Sequence, residues 1–176
     1  MKAISFTGLA RSGKDTAADH LVEKHAFQKL VMSEELAEEL LKEGKEDTKI
    51  NRAHKGKDLR KKFGQDIVAK RVFEKALQRS LEKVIFVGPR SVAEIEFFKK
   101  NIPGFKLIAI KAEKEERFER RSHKDGQTEE KFFERDRHDS TEFELEKVIS
   151  MADTTIENNS TIDDFYKTID ALMQKV

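Results

Sequence analysis

Lys2-Ala3-Ile4-Ser5-Phe6-Thr7-Gly8-Leu9-Ala10-Arg11-Ser12-Gly13-Lys14-Asp15-Thr16-Ala17-Ala18-Asp19 opens on an apolar run, turns at two glycines and continues into helix-forming residues. Gly8 to Lys14 spell G-x-x-x-x-G-K where a strand over 2–7 gives way to a helix over 13–25, the context in which this motif binds phosphate. Within that helix Ala17, Leu21 and His25 form one stripe, with Ala18, Val22 and Ala26 beside it. The glycines permit conformations in which successive N–H groups face a phosphate. The helix start adds the positive end of a dipole, and Lys14 adds a full charge. A chance glycine turn needs none of these in order, so the segment reads as a cradle for a nucleoside triphosphate, held by Gly8, Arg11, Ser12, Gly13, Lys14, Asp15 and Thr16. The Ser or Thr that usually follows the lysine, with its hydroxyl on Mg2+, is replaced by Asp15, with Thr16 next. Asp15 and Thr16 are the metal candidates, although an acidic residue in a first helical turn is favourable without any metal.

Working outward, strand and helix signals alternate. Phe27 to Met32 reads as a strand. Ser33 reads as an N-cap ahead of Leu36, Ala37, Leu40 and Leu41, and that helix ends near Gly44. Helical stretches over 51–63 and 65–81 precede a compact buried-strand candidate, Val84 to Gly88. Ser91 and Glu94 make a capping-box pair at the head of a helix to Lys100, and Lys106 to Ile110 is the next strand. Charged helices over 113–121 and 128–137, a stretch from Phe143 to Met151, a short strand over 154–157 and a last helix begun by Thr161 and Asp164 complete the chain. This alternation predicts an α/β protein, a three-layer fold with a parallel sheet of about five strands covered on both faces. Segments 33–82 and 113–140 are helical excursions from one domain over 1–176.

Composition bounds the function. With 176 residues the chain fits one domain, and it is 39% charged yet carries apolar runs incompatible with disorder. Lys plus Arg number 35 against 34 Asp plus Glu, so no global basic excess suggests a general nucleic-acid binder. The absence of Cys removes disulfides and thiolate metal sites. No long apolar stretch or leader pattern opens the chain, so the expected location is cytoplasmic, with no membrane partner. The five histidines, His20, His25, His54, His123 and His138, show no close metal-ligand spacing and read as surface or core positions.

The run Arg11 to Asp19 resembles the phosphate loop of phage-type deoxynucleoside monophosphate kinases, and animal-type phosphomevalonate kinases carry a similar Gly-Lys-Asp variant. Beyond residue 50 the chain is similar to an archaeal family of nucleotide-kinase-like proteins related to adenylate and dephospho-CoA kinases. Leu59-Arg60, Gly64, Asp66 to Lys70, Gly88-Pro89-Arg90-Ser91, Ala93 to Phe98, Phe133 to Arg137, Ala152-Asp153 and Ile156 to Phe165 carry that likeness. The resemblance implies a P-loop nucleoside monophosphate kinase-like phosphotransferase that uses ATP and Mg2+, with 33–82 as the acceptor-binding insert and 113–140 as a lid. One departure stands out: where such kinases often end a strand in an acid that helps hold Mg2+, this chain has Val87 before Gly88.

Phosphoryl transfer needs aligned substrates and positive charge around the transferred oxygens. Arg117, Arg120 and Arg121 fall at i, i+3 and i+4, one face of a helix, and Arg135 and Arg137 follow the loop containing Gly126. As a solvated face they would pair with Glu113, Glu116 and Glu119; the resemblance makes Arg117 and Arg121, with Lys14, the catalytic cations. Arg90, at the open end of a parallel sheet, is one expected acceptor-phosphate ligand, and the resemblance, through Leu59-Arg60, implies Arg60 as the other, in the insert beside Arg52 and Lys70. Ser91 and Glu94 read as capping groups, and Phe97, Phe98, Phe132 and Phe133 as packing groups. Asn158, Asn159 and Ser160 fall where the resembled kinases pass backbone along the adenine.

The expected activity is transfer of the γ-phosphoryl group to a small-molecule phosphate acceptor, a (deoxy)nucleoside monophosphate first and dephospho-CoA second. A nucleotide-binding regulator or slow ATPase is the alternative that the missing acid at Val87 keeps in view.

Overall fold

The computed structural model describes residues 1–123, 125, 128–142 and 144–174, apart from the side chains of Arg135 and of residues 138–142. Gly126, Phe143 and the side chains of Arg135 and His138 therefore lie outside the described residues. Five strands, β1 (Lys2–Thr7), β2 (Gln28–Val31), β3 (Lys83–Val87), β4 (Lys106–Lys111) and β5 (Thr154–Glu157), form one sheet in the order β2-β3-β1-β4-β5. All pairings are parallel, with Phe6 opposite Val87 and Ile108, and Ile110 opposite Ile156. Strands buried on both faces are largely apolar, which is why β3 and β4 read as hydrophobic runs apart from their terminal lysines. β1 departs from that pattern inside the sheet at Ser5, whose hydroxyl donates to the Phe86 carbonyl at 2.6 Å, and at Thr7.

Alternate side chains of these strands feed two cores. Ala3, Val84, Phe86 and Leu107 face one, where they meet Leu36 of α2 (Met32–Lys42), Leu59 of α3 (Lys49–Phe63) and Val68 and Val72 of α4 (Ile67–Gln78). Ile95 and Phe98 of α5 (Val92–Asn101) and Val148 of α8 (Leu145–Ser150) complete that layer. Ile4, Phe6, Ile85, Ile108 and Ile110 face the other, against Ala17, Ala18 and Leu21 of α1 (Lys14–His25) and Phe165 and Ile169 of α9 (Ile162–Met173). The remaining helices, α6 (Lys114–Glu119) and α7 (Glu129–Glu142), lie between β4 and α8 in the chain. The predicted three layers and five parallel strands are all present.

Local side-chain signals account for the starts of three helices, α3, α5 and α9. Ser91 and Glu94 do form a capping box, and the Thr161 hydroxyl accepts from the Asp164 N–H at the head of α9. The Thr48 hydroxyl caps α3 in the same way. Ser33 does not cap α2. That helix starts at Met32 directly from β2, with Val31 at the cap position, two residues earlier than a Ser33 cap would place it, and Met32 is buried in the core. The stretch expected from Phe143 becomes a shorter helix from Leu145, and the lid helix expected over 128–137 runs on to Glu142.

Candidate active site

The sheet order puts β1 at the centre, so the loop after Thr7 emerges at the carboxyl edge, where parallel sheets bind ligands. Gly8 and Gly13 have φ of 148° and 103°, and Arg11 is left-handed at 62°. A β-carbon on Gly8 would lie 2.2 Å from the Ile110 carbonyl oxygen, and one on Gly13 would lie 2.3 Å from the Asn158 amide nitrogen. Glycine is required at both places by backbone angle and by space. Gly13 precedes α1 with no side-chain cap, which leaves the first-turn N–H groups for an anion.

Above this loop is a cleft of about 560 Å³. Arg11, Lys14, Lys49 and Arg120 line it with two carboxylates, Asp15 and Asp125, so a chain of nearly balanced charge gathers an excess of cations here. Asn158, Ser160 and Ile162 form another wall, and Thr16 reaches it from α1. The Lys14 ammonium donates to the Leu9 carbonyl at 3.3 Å, across the loop it would neutralise. Two hydroxyls of this segment, Thr7 Oγ1 and Ser12 Oγ, are buried without a hydrogen-bond partner. Buried polar atoms seldom stay unsatisfied. An anion in the cradle would suit them, and the residues fit a nucleotide phosphate. For Mg2+ the donors at hand are the exposed Asp15 carboxylate and the Thr16 hydroxyl, hard oxygens of the kind that ion takes. Val87 ends β3 buried, and Gly88 follows it with its N–H on the Phe6 carbonyl at 3.1 Å.

The three arginines expected on one face diverge. α6 stops at Glu119, so Arg120 is its C-cap and Arg121 lies beyond it. Arg117 is buried; it donates to the Ala10 carbonyl at 3.2 Å and pairs with Asp136 of α7 at 2.7 Å, holding the glycine loop from below. Arg120 is the one that lines the cleft, bonded to the Asn158 carbonyl at 3.0 Å and to Glu116 at 2.9 Å. Arg121 covers the Phe118 ring at 3.9 Å and donates to the Phe118 carbonyl. Phe118 is anchored on Phe132 and Phe133, and Arg121, beyond the end of the helix, packs back over its ring. Arg137 is exposed.

Arg60 and Glu94 form a buried ion pair at 2.8 Å between α3 and α5. The other Glu94 oxygen accepts the Arg90 and Ser91 N–H groups at 2.7 and 3.2 Å, so one carboxylate ties the insert to the turn after β3. Gly56 lies one turn below Arg60; a β-carbon there would come 2.9 Å from its guanidinium. Arg52 pairs with Asp47, and Lys70 with Asp66 at 2.9 Å.

Three contributors were not singled out by sequence reasoning. Asp125 accepts from the Arg11 Nε at 2.8 Å and from the Ser122 N–H at 2.9 Å, and Lys49 approaches it at 3.3 Å. Burial pushes its carboxyl up, but the Ser122 and Arg11 hydrogen bonds outweigh that and hold it far below the usual carboxylate range. The spacing Ser122-x-x-Asp125 was the available signal. Lys49, at the head of α3, carried none. The third is remote from the cleft: His20 and His25 converge on Asp170, a meeting that the histidine spacing did not reveal.

No protein-family model matches the chain. Among curated relatives, a UPF0200/UPF0201 protein of Archaeoglobus fulgidus is 36% identical over 183 residues, covering all of this chain and 56% of that protein, so the chain spans little more than half of it. UPF0200 proteins of Methanosarcina mazei and Thermococcus kodakarensis are 32% and 33% identical, with 96% and 98% of this chain and 92% and 97% of theirs covered. Among solved structures, TT1252 from Thermus thermophilus superposes with a TM-score of 0.66 at 21% identity, covering 99% of this chain and 97% of its own. A shikimate kinase from Bacteroides thetaiotaomicron gives 0.63 at 13% identity with the same coverage. One from Aquifex aeolicus gives 0.59 at 20%, covering 98% and 96%. The fold is that of P-loop kinases. No helix among the described residues is long and apolar enough to cross a membrane.

Proposed function

The chain belongs to the UPF0200 family of archaeal proteins, and from that premise we propose that it is an ATP-dependent small-molecule kinase acting on a nucleotide-type phosphate acceptor. The observation that carries this reading is the glycine loop at the centre of the sheet, with four cations gathered around its cleft and two buried hydroxyls left unsatisfied beside it. Lys14 and the loop amides hold the β- and γ-phosphates, and Arg11 and Arg120 add charge at the rim. Asp15 and Thr16 would hold Mg2+, which when bound would supply charge screening to the transferred phosphoryl group. Of the lid cations that the resemblance implies, Arg117 and Arg121 do not line the cleft, and Arg120 takes that place. Arg117 acts through the loop, since its guanidinium fixes the Ala10 carbonyl. Arg60 and Arg90 are the acceptor-side residues of this scheme, and the buried Glu94, bonded to the Arg60 guanidinium and the Arg90 N–H, holds their two segments together.

A (deoxy)nucleoside monophosphate is the first acceptor, dephospho-CoA the second. The test is ADP release from Mg2+ and ATP across NMPs, dNMPs, dephospho-CoA and phosphomevalonate, with Lys14→Met as control. Acceptor-dependent release that vanishes in the control supports the kinase and names its substrate class. The aliphatic Val87 in place of an acid favours a second reading, a nucleotide-binding regulator or slow ATPase, which predicts ATP binding with a flat acceptor panel.

A further inference from the structure

At the ends of α1 and α9 away from the cleft, three metal-ligating side chains meet: His20 and His25 from the first helix, Asp170 from the second. Both imidazoles point Nε2 at the same carboxylate oxygen, Asp170 Oδ1, at 2.7 and 2.8 Å. One ligand atom from each residue lies within 4.8 Å of the other two. On a regular helix residues five apart point about 140° from each other. Here His25 is the last residue of α1, before Ala26 in a left-handed conformation, and both rings reach Asp170.

The trio is partly built in advance. His20 is buried, and its ring lies flat against Tyr166, with centroids 4.1 Å apart and planes inclined by 7°. Its orientation is set by packing, so little ordering entropy remains to be lost when a ligand arrives. His25 and Asp170 are open at 31% and 46% of their side chains, which leaves a solvent route and room for a water. Two imidazole nitrogens and one carboxylate oxygen suit a borderline divalent ion, with Zn–N and Zn–O distances of about 2.0–2.2 Å. Mg2+ prefers oxygen-only sites, so this donor set would not compete for the ion expected at the phosphate loop.

We propose that His20, His25 and Asp170 form a site for a divalent transition ion, Zn2+ first, that clips the end of α1 to α9. On binding, each imidazole loses the Nε2 proton it donates to Asp170, to solvent or by a shift of the ring proton to Nδ1, and turns the freed Nε2 lone pair to the ion, while Asp170 changes from hydrogen-bond acceptor to ligand. α1 starts at the glycine loop and α9 starts just after Asn158, which bonds the Ser12 carbonyl at 2.9 Å. Pinning their far ends braces two walls of the cleft without entering it.

The test uses the full, tag-free chain with excess Mg2+ present throughout. Calorimetric titration with ZnCl2 should show one equivalent bound per chain, and the melting temperature should rise with zinc. His25→Ala and Asp170→Ala, both at partly open positions, should abolish binding and the rise together. Co2+ added to the wild type should develop the absorption of a four- or five-coordinate ion, a readout independent of how well the variants fold. A wild type that binds no Zn2+, variants that bind it as tightly, or binding without a rise in melting temperature would each overturn the proposal.

Discussion

Gly8 and Lys14 are adjacent parts of one device with opposite sensitivities. At Gly8 a β-carbon meets the Ile110 carbonyl at 2.2 Å and Ser12 Oγ at 2.7 Å, so Gly8→Ala must displace backbone as well as strain it. We expect a loss of about 1–3 kcal/mol in stability, with weakened nucleotide binding. Melting curves and a nucleotide titration on that variant check both, and an unchanged melting temperature would mean that β4 yields. Lys14 lies at the cleft surface, and its charge matters to the ligand more than to the fold. Lys14→Met is expected to keep stability within about 0.5 kcal/mol while abolishing transfer, and unaltered turnover would remove Lys14 from the catalytic group.

At the scale of elements, two charged contacts fasten the excursions to the sheet. The Arg60–Glu94 pair joins α3 to α5 out of solvent, so Glu94→Leu removes both the ion pair and the acceptor of the Arg90 and Ser91 N–H groups and should cost about 3–5 kcal/mol. The double change with Arg60→Met should recover only the part that belongs to the ion pair, because the Arg90 and Ser91 N–H groups stay without their acceptor, and equilibrium unfolding of the three variants measures the coupling. The Asp125 contact fastens the segment after α6 to Arg11 of the glycine loop. Its carboxyl has a lower pKa folded than unfolded. Its contribution is therefore present above the ordinary aspartate value of about 3.9 and is lost only as pH falls through the depressed one. A carboxyl NMR titration assigned with Asp125→Asn should find Asp125 still ionised where other aspartates have protonated; an ordinary midpoint would mean the clasp is open in solution.

For the whole molecule, stability rests on the two cores. Phe98 is fully buried, stacked on Phe86 at 4.4 Å and on Phe105 at 5.3 Å. Phe98→Ala should cost about 3–5 kcal/mol, read from denaturant unfolding, and a much smaller loss would mean that the layer collapses into the cavity.

What could be read directly from the sequence is what short stretches of chain decide by themselves. Strand, glycine loop and helix at residues 2–25 follow from backbone sterics and apolar periodicity, as do the capping box at Ser91 and the start of α9 at Thr161. Three layers and a parallel sheet follow from the alternation of such elements, because apolar strand faces must be covered. Which side chains share a site was decided by tertiary structure. Asn158 reaches Ser12 across 146 positions, Asp125 reaches Arg11 across 114, and Asp170 reaches His20 across 150. The split of Arg117, Arg120 and Arg121 is likewise visible only in the structure, where the helix stops at Glu119, since helical spacing alone would have kept them together. Periodicity acts over a few residues, whereas these meetings exist only after the chain has closed and its cores have packed.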